Sequence, residues 1–328
     1  MEPRKLLLRM HLSPGDAVVM CYAIKALHEQ HPGKYLTGVD TPCREVFEGN
    51  PQVVPLSTAD PAVEVIEMCY PTIHRSNDHP YHYANGFVDF LGKQLGIRLE
   101  PTAFQDTIVI RREEQYWYSA VYESLGRDVP YWIINSGYKN DFTAKAWDHR
   151  RYQEIVDRFP GVTFVQIGHA HHNHRPLAGD NLINLIGKTD LRQLIRLVYN
   201  SFGVITPVSL PMVLAYAVPA HPRFRRLSRA CIVIAGGREP NHWQQGPNQQ
   251  FLHTCGILDC CDRGGCWKSR VVPLGDGDPK DQDLCLYPVL LTSGQSIARC
   301  MDLIQADDVC RLITQYMDNL QWSANPAQ

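Results

Sequence analysis

Asp16 follows Gly15 directly, between the apolar run Lys5–Met10 and the amphipathic stretch Ala17–His31. Open α/β sheets place their ligands at the carboxyl ends of strands. A carboxylate there can take the proton of a hydroxyl as its oxygen attacks. Asp in the same place also caps helices, and position alone leaves both roles open. Lys145 and Lys139 are cations of the kind that, with backbone amides at helix N-termini, stabilise a departing anion; the alternative for each is a solvated surface charge. Ser136-Gly137, Gln166 to Gly168 and Gly187 to Thr189 each follow an apolar run. Their amides and short side chains either build a nucleotide pocket or make ordinary turns. Ser209 and Met212 open a small-residue helix whose N-terminus would point at a phosphate or would simply be packed.

Thiols form the second chemical signal. Of eleven cysteines, Cys255, Cys260, Cys261, Cys266 and Cys285 fall close together, with Cys300 and Cys310 behind them. No secretory segment is evident, so these thiols point to metal rather than to a disulfide framework. Cys260, Cys261, Cys266, Cys285 and Cys300 are the candidate ligands, and a soft tetrahedral set suits structural zinc or iron. Gly264-Gly265 supplies a tight turn before Cys266. Buried, inert cysteines are the competing reading. The run His169–His174 has ligand-type residues on an irregular loop and reads mainly as polar surface beside the nucleotide residues.

Composition narrows the field. The 328-residue chain has 32 basic and 34 acidic residues and a formal charge of −2, with 44% hydrophobic and 20% charged residues. No global field draws it to nucleic acid or an anionic membrane. No run approaches 18 apolar residues, so no membrane span is expected. The expected location is the cytoplasm.

The elements that must position these residues alternate strand and helix. Strands are expected at Lys5–Met10, Tyr35–Val39, Val63–Met68 and Thr107–Ile110, with helices at Ala17–His31, Tyr83–Leu95 and Glu113–Leu125. A second series has strands at Tyr131–Asn135, Val162–Ile167, Phe202–Thr206 and Ala230–Ala235. Its helices are Tyr152–Phe159, Asp190–Asn200 and Leu210–Ala217. Alternation of this kind makes parallel sheets covered by helices. The expected division is residues 1–125 and 126–328. An irregular cysteine-rich insertion spans 238–290, followed by closing helices Ser293–Ile304 and Asp307–Leu320 and a frayed tail from Gln321.

Three segments together resemble glycosyltransferase family 9, the heptosyltransferase-like enzymes. They are Ser13-Pro14-Gly15-Asp16-Ala17-Val18 with its helix, Lys145-Ala146-Trp147, and Asn184-Leu185-Ile186-Gly187-Lys188-Thr189-Asp190-Leu191 followed by Thr206 to Pro219. The stretch Tyr83–Ile97 is a looser match. The resemblance runs from about Lys5 to Gly236 and implies a GT-B architecture, two doubly wound Rossmann-like domains facing across a cleft. It departs from the family at Pro207, where an acidic residue is usual, and at Val213, where His is usual. The cysteine-rich insertion resembles that of the heptosyltransferases that modify autotransporter adhesins.

The resemblance implies an inverting glycosyltransferase. A sugar, heptose among the options, would pass from a nucleotide-diphosphate sugar, ADP-linked among the options, to a hydroxyl acceptor. Asp16 would be the base, and Lys145 would meet the diphosphate. Gly15, Ser136, Gly137, Gln166, Gly168, Gly187, Thr189, Ser209 and Met212 would surround the donor. The acceptor is open between a glycan, a protein side chain and a modified base, and assembly into a homo-oligomer is an option. Pro207 and Val213 motivate the other class of function, a catalytically degenerate fold used for binding or assembly.

Overall fold

A computed structural model describes residues 2–69, 75–224 and 229–323. The first half is built on β1 (Arg4–Arg9), α1 (Pro14–Gln30), β2 (Tyr35–Asp40), β3 (Val63–Glu67), α2 (Tyr83–Leu95) and a short α3 (Ala120–Leu125). Its three strands are parallel in the order β2-β1-β3. α1 starts where Ser13 and Asp16 form a capping box with Pro14 at the first helical position, an arrangement that satisfies the otherwise orphaned first-turn amides. α2 ends at Gly96, whose φ of 66° suits a residue without Cβ.

The second half carries β4 (Tyr131–Asn135), α4 (His149–Arg158), β5 (Thr163–Ile167), β6 (Leu182–Asn184), α5 (Leu191–Asn200), β7 (Gly203–Pro207), α6 (Leu210–Ala217) and β8 (Ala230–Gly236). After these come α7 (Asn241–Gln244), β9 (Gln249–His253), β10 (Pro288–Leu290), β11 (Ser296–Ala298), α8 (Arg299–Asp302) and α9 (Ala306–Ser323). Six strands make one parallel sheet in the order β6-β5-β4-β7-β8-β9. The chain therefore winds outward one way from β4 and the other way from β7, which is the Rossmann order with its switch point between those two strands. β4, β7 and β8 are buried on both faces, so they read as continuous apolar runs.

The apolar core joins the two sheets. One cluster runs from β1 through α1 to α6 and one face of the second sheet. A second cluster fills the opposite face beneath α4 and α9. Among the described residues no helix is long and apolar enough to cross a membrane.

Five expectations differ from the structure. Thr107–Ile110 is not a strand: it crosses between the sheets, and the Ile108 amide bonds the Ala217 carbonyl at the end of α6 (3.0 Å). Glu113–Leu125 is not one helix but a 3-10 turn, Glu113–Tyr116, and then α3, because Ser119 caps a fresh start through its bond from the Tyr122 amide. Segment 238–290 is not wholly irregular, since Gln249–His253 completes the large sheet as β9. Ser293–Ile304 is mostly the turn and second strand of the β10–β11 hairpin, leaving only the short α8. Gln321–Ser323 continue α9; the rest of the expected tail, 324–328, lies outside the described residues.

Candidate functional site

The carboxyl end of β1 and the switch point between β4 and β7 meet. From the first half comes Asp16, 7% exposed on the first turn of α1. Its Oδ2 accepts from the Ser13 amide and the Ser13 hydroxyl, both at 2.8 Å. Oδ1 has no such bond among the described residues and is left to accept a proton. Burial pushes the Asp16 carboxyl up; the Ser13 bonds and the nearby positive charge of Lys145 partly offset that.

Lys145 lies at the end of a 3-10 turn before α4. Its Nζ donates to the Val208 carbonyl (3.2 Å) and pairs with Glu239 Oε1 (3.0 Å). Burial lowers the Lys145 pKa against the raising effect of Glu239. Glu239 itself follows β8, is 2% exposed, and also pairs with Arg238. Burial alone would raise the Glu239 carboxyl, but Lys145 and Arg238 outweigh it and hold it below the ordinary range. The result is one buried carboxylate between two cations, facing a second carboxylate whose proton affinity is raised. Such a pairing suits a base beside an anion clamp.

At the switch point Asn135 Nδ2 donates to Thr206 Oγ1 (3.1 Å) and Ser209 Oγ (3.0 Å). Ser209 is the N-cap residue of α6, though its side chain makes no capping bond there. Gly15 faces Val213 of α6, so α1 and α6 bring their N-termini together. Met212, by contrast, lies in the apolar core, and its carbonyl accepts from Gln249 Nε2 (2.7 Å).

The other expected donor residues sit over β5 and β6. Gln166 is fully buried and its amide is spent on Ser136 Oγ (2.7 Å), the Arg175 carbonyl (2.7 Å) and the Leu177 amide (2.9 Å). Gly137 and Gly168 flank the His174 ring, so close that a Cβ on either would stand 2.2 to 2.3 Å from its Nδ1. The His169–His174 loop is thus folded over the strand ends, tied down by the Asn173–Tyr138 backbone bridge. Burial and the neighbouring His172 and His169 push the His174 pKa down to about 4, so the ring is neutral near pH 7. Gly187 donates its amide to Gly168 (2.8 Å), and Thr189 stands beyond it, before the Asp190 cap of α5.

All eleven cysteines are unpaired thiols. Cys260, Cys266, Cys285 and Cys300 line one hollow together with Arg238 and Lys268. Cys261 is buried beside it and donates to the carbonyls of Leu258 and Thr254. Burial raises these four thiols, with Cys260 pushed to about 12 and Cys300 to about 11. Their donor chemistry suits a soft metal. Among the described residues, however, no group of three or more His, Cys, Asp or Glu side chains stands gathered to hold one. The insertion also touches the first half: Asn77 Nδ2 donates to the Gly265 carbonyl (2.8 Å) and Asn77 Oδ1 accepts from the Gly265 amide (2.9 Å).

Sequence reasoning misses Glu239 and Arg238. Their signal is a charged pair after the apolar strand Ala230–Gly236, at the strand end where ligands bind.

No family model matches the chain, and no curated protein matches it in sequence. Solved structures do match. A glycosyl transferase family 9 protein from Veillonella parvula DSM 2008 superposes with TM-score 0.61 at 13% identity, covering 97% of this chain and 98% of that one. The Escherichia coli ADP-heptose lipopolysaccharide heptosyltransferase II gives 0.57 at 14%, covering 97% and 99%. The iron-containing dodecameric glycosyltransferase TibC of enterotoxigenic E. coli gives 0.60 at 16%, covering 97% and 77%. The chain shares the GT-B fold with these enzymes.

Proposed function

We propose that the protein is a glycosyltransferase that moves a sugar from a nucleoside diphosphate to a hydroxyl with inversion. The observation that carries this is buried Asp16 lying within electrostatic reach of Lys145 at the switch point of a Rossmann-order sheet. In this reading residues 1–125 present the acceptor and residues 126–328 hold the donor. The acceptor oxygen lies against Asp16 Oδ1, which takes its proton as the oxygen attacks the anomeric carbon. The bond from that carbon to the diphosphate breaks, and the growing negative charge falls to Lys145 and the N-terminus of α6. Because nucleophile and leaving group lie on opposite sides of the carbon, configuration inverts. Gly137 and Gly168 leave room for a nucleotide once the His174 ring moves aside. The likeness to the heptosyltransferases supports heptose and ADP as first choices.

Ligand-linked stabilisation tests this directly. With ADP-, UDP- and GDP-sugars offered in turn, one donor at a hundred times its Kd should stabilise the protein by about 2.7 kcal/mol, read as a rise in Tm. No rise with any of them would leave the fold to the binding or assembly role.

The same reading gives Cys260, Cys266, Cys285 and Cys300 a structural metal, zinc or iron. The iron of TibC supports it, and its place beside Gly264-Gly265 would brace the turn that Asn77 grips. No step of the transfer passes through it. Purified protein is expected to carry about one metal ion per chain by elemental analysis, and Cys266→Ser to lose it with a lowered Tm. Metal-free wild-type protein of unchanged Tm would assign these cysteines to the core alone.

A further inference from the structure

We propose that Glu239 reads the transferred sugar: with Oε1 held by Lys145 and Arg238, its free Oε2 accepts a hydroxyl of the donor's sugar. The inference rests on the donor reading above and deepens it.

Both cations that pair with Glu239 do so through the same oxygen. Oε2 is buried and has no hydrogen-bond partner among the described residues. A buried carboxylate oxygen without a donor is costly and uncommon in folded proteins, so its missing donor is to be sought in a ligand. The chemistry of that ligand follows from charge. A phosphate carries only acceptors near pH 7 and would be repelled by Glu239, so the group at Oε2 is not the diphosphate. It is a hydroxyl, and the hydroxyls covalently nearest to a diphosphate held on Lys145 are those of the attached sugar. The short link from Lys145 Nζ to Glu239 Oε1, 3.0 Å, sets diphosphate and sugar side by side. The backbone fixes this geometry from both sides: Lys145 is tethered to the Val208 carbonyl, and the Arg238 Nε is tethered to the Lys268 carbonyl (2.8 Å). Lys145 keeps its own tether to the Val208 carbonyl, so Glu239 acts as a specificity residue for the sugar.

The test compares each nucleoside diphosphate with its sugar nucleotide (ADP with ADP-glucose, and the UDP and GDP counterparts) by calorimetry on the full chain. In the wild type the sugar nucleotide should bind more tightly than the diphosphate alone. Glu239→Gln is expected to shrink that ratio about 10-fold or more without weakening the diphosphate, since a counter-charge to Lys145 has been removed. A purely structural role would weaken both ligands alike and leave the ratio unchanged; that outcome overturns the proposal while the donor reading stands. Wild-type protein that binds none of these ligands overturns the donor reading and this one with it. If Glu239→Gln fails to fold, singly deoxygenated sugar nucleotides on the wild type read the same contact. At least one deoxy position should cost about tenfold, and no position doing so overturns the assignment.

Discussion

Asp16→Asn is expected to lower sugar transfer by about 10²- to 10⁴-fold, the range supplied by a positioned general base, while donor binding survives. Asparagine is the informative replacement because Asp16 also caps α1. Its Oδ2 takes both Ser13 bonds, and an amide oxygen can keep them. Asp16→Ala removes cap and base together and should cost about 1 kcal/mol of stability besides. If the carboxylate served only as a cap, Asp16→Asn would turn over normally, and the base would have to be sought elsewhere. The pH profile gives an independent reading. Burial raises the Asp16 pKa, and the base works only when deprotonated. Transfer should therefore climb with pH through an apparent pKa raised above the ordinary aspartate value and then level off, and this rising limb should be missing from the residual activity of Asp16→Asn.

Local rules are enough to single out Asp16 in the sequence. An apolar run, a Gly-Asp turn and a capped helix are adjacent in the chain, so their geometry is written in neighbouring residues. Lys145 is legible for a different reason, through the resemblance of Lys145-Ala146-Trp147 and the helix after it. Glu239 is not, because what matters about it is its contact with Lys145, 94 positions away, and no periodicity marks Gly237-Arg238-Glu239-Pro240. β9 escapes because an edge strand pairs on one side only, and Gln249–His253 has just two apolar residues. Thr107–Ile110 looks like a strand because it is a short apolar run, but its Ile108 and Ile110 are buried between the sheets rather than within one. The role of His174 is equally hidden: in sequence it is one of a polar run, and only folding lays its ring against Gly137 and Gly168.

The crossing between the two halves also sets the other large effect. Glu114 is fully buried and makes a two-pronged pair with Arg192 of α5, whose Nε lies 2.8 Å from Oε1. Arg192 in turn donates to the carbonyls of Val109 (2.8 Å) and Glu45 (3.3 Å), and the Arg111 amide donates to Glu114 (2.8 Å). One ion pair thus pins the crossing segment and the turn after β2 to the large sheet. Glu114→Ala leaves buried Arg192 with only the longer Glu48 contact (3.7 Å), so a loss of about 3 kcal/mol, the lower end for a broken buried pair, is expected, read from the urea midpoint at constant m. The acid limb of stability carries the same signature. Burial alone would raise Glu114, but Arg192 and Arg111 hold it down to about 2. A depressed carboxyl stabilises the fold above its unfolded pKa, about 4.3, and that contribution is lost as pH falls towards 2. Wild-type stability should therefore decline across that window, and the decline should be shallower in Glu114→Gln. Glu114→Leu combined with Arg192→Leu should be less damaging than Glu114→Ala, because no unpaired charge remains. It should still fall short of the wild type, since the Val109 and Glu45 carbonyls lose their donor. A cost below about 1 kcal/mol for Glu114→Ala would mean that the shared core between α1 and α6, rather than this pair, holds the two halves in register, and with them the distance from Asp16 to Lys145.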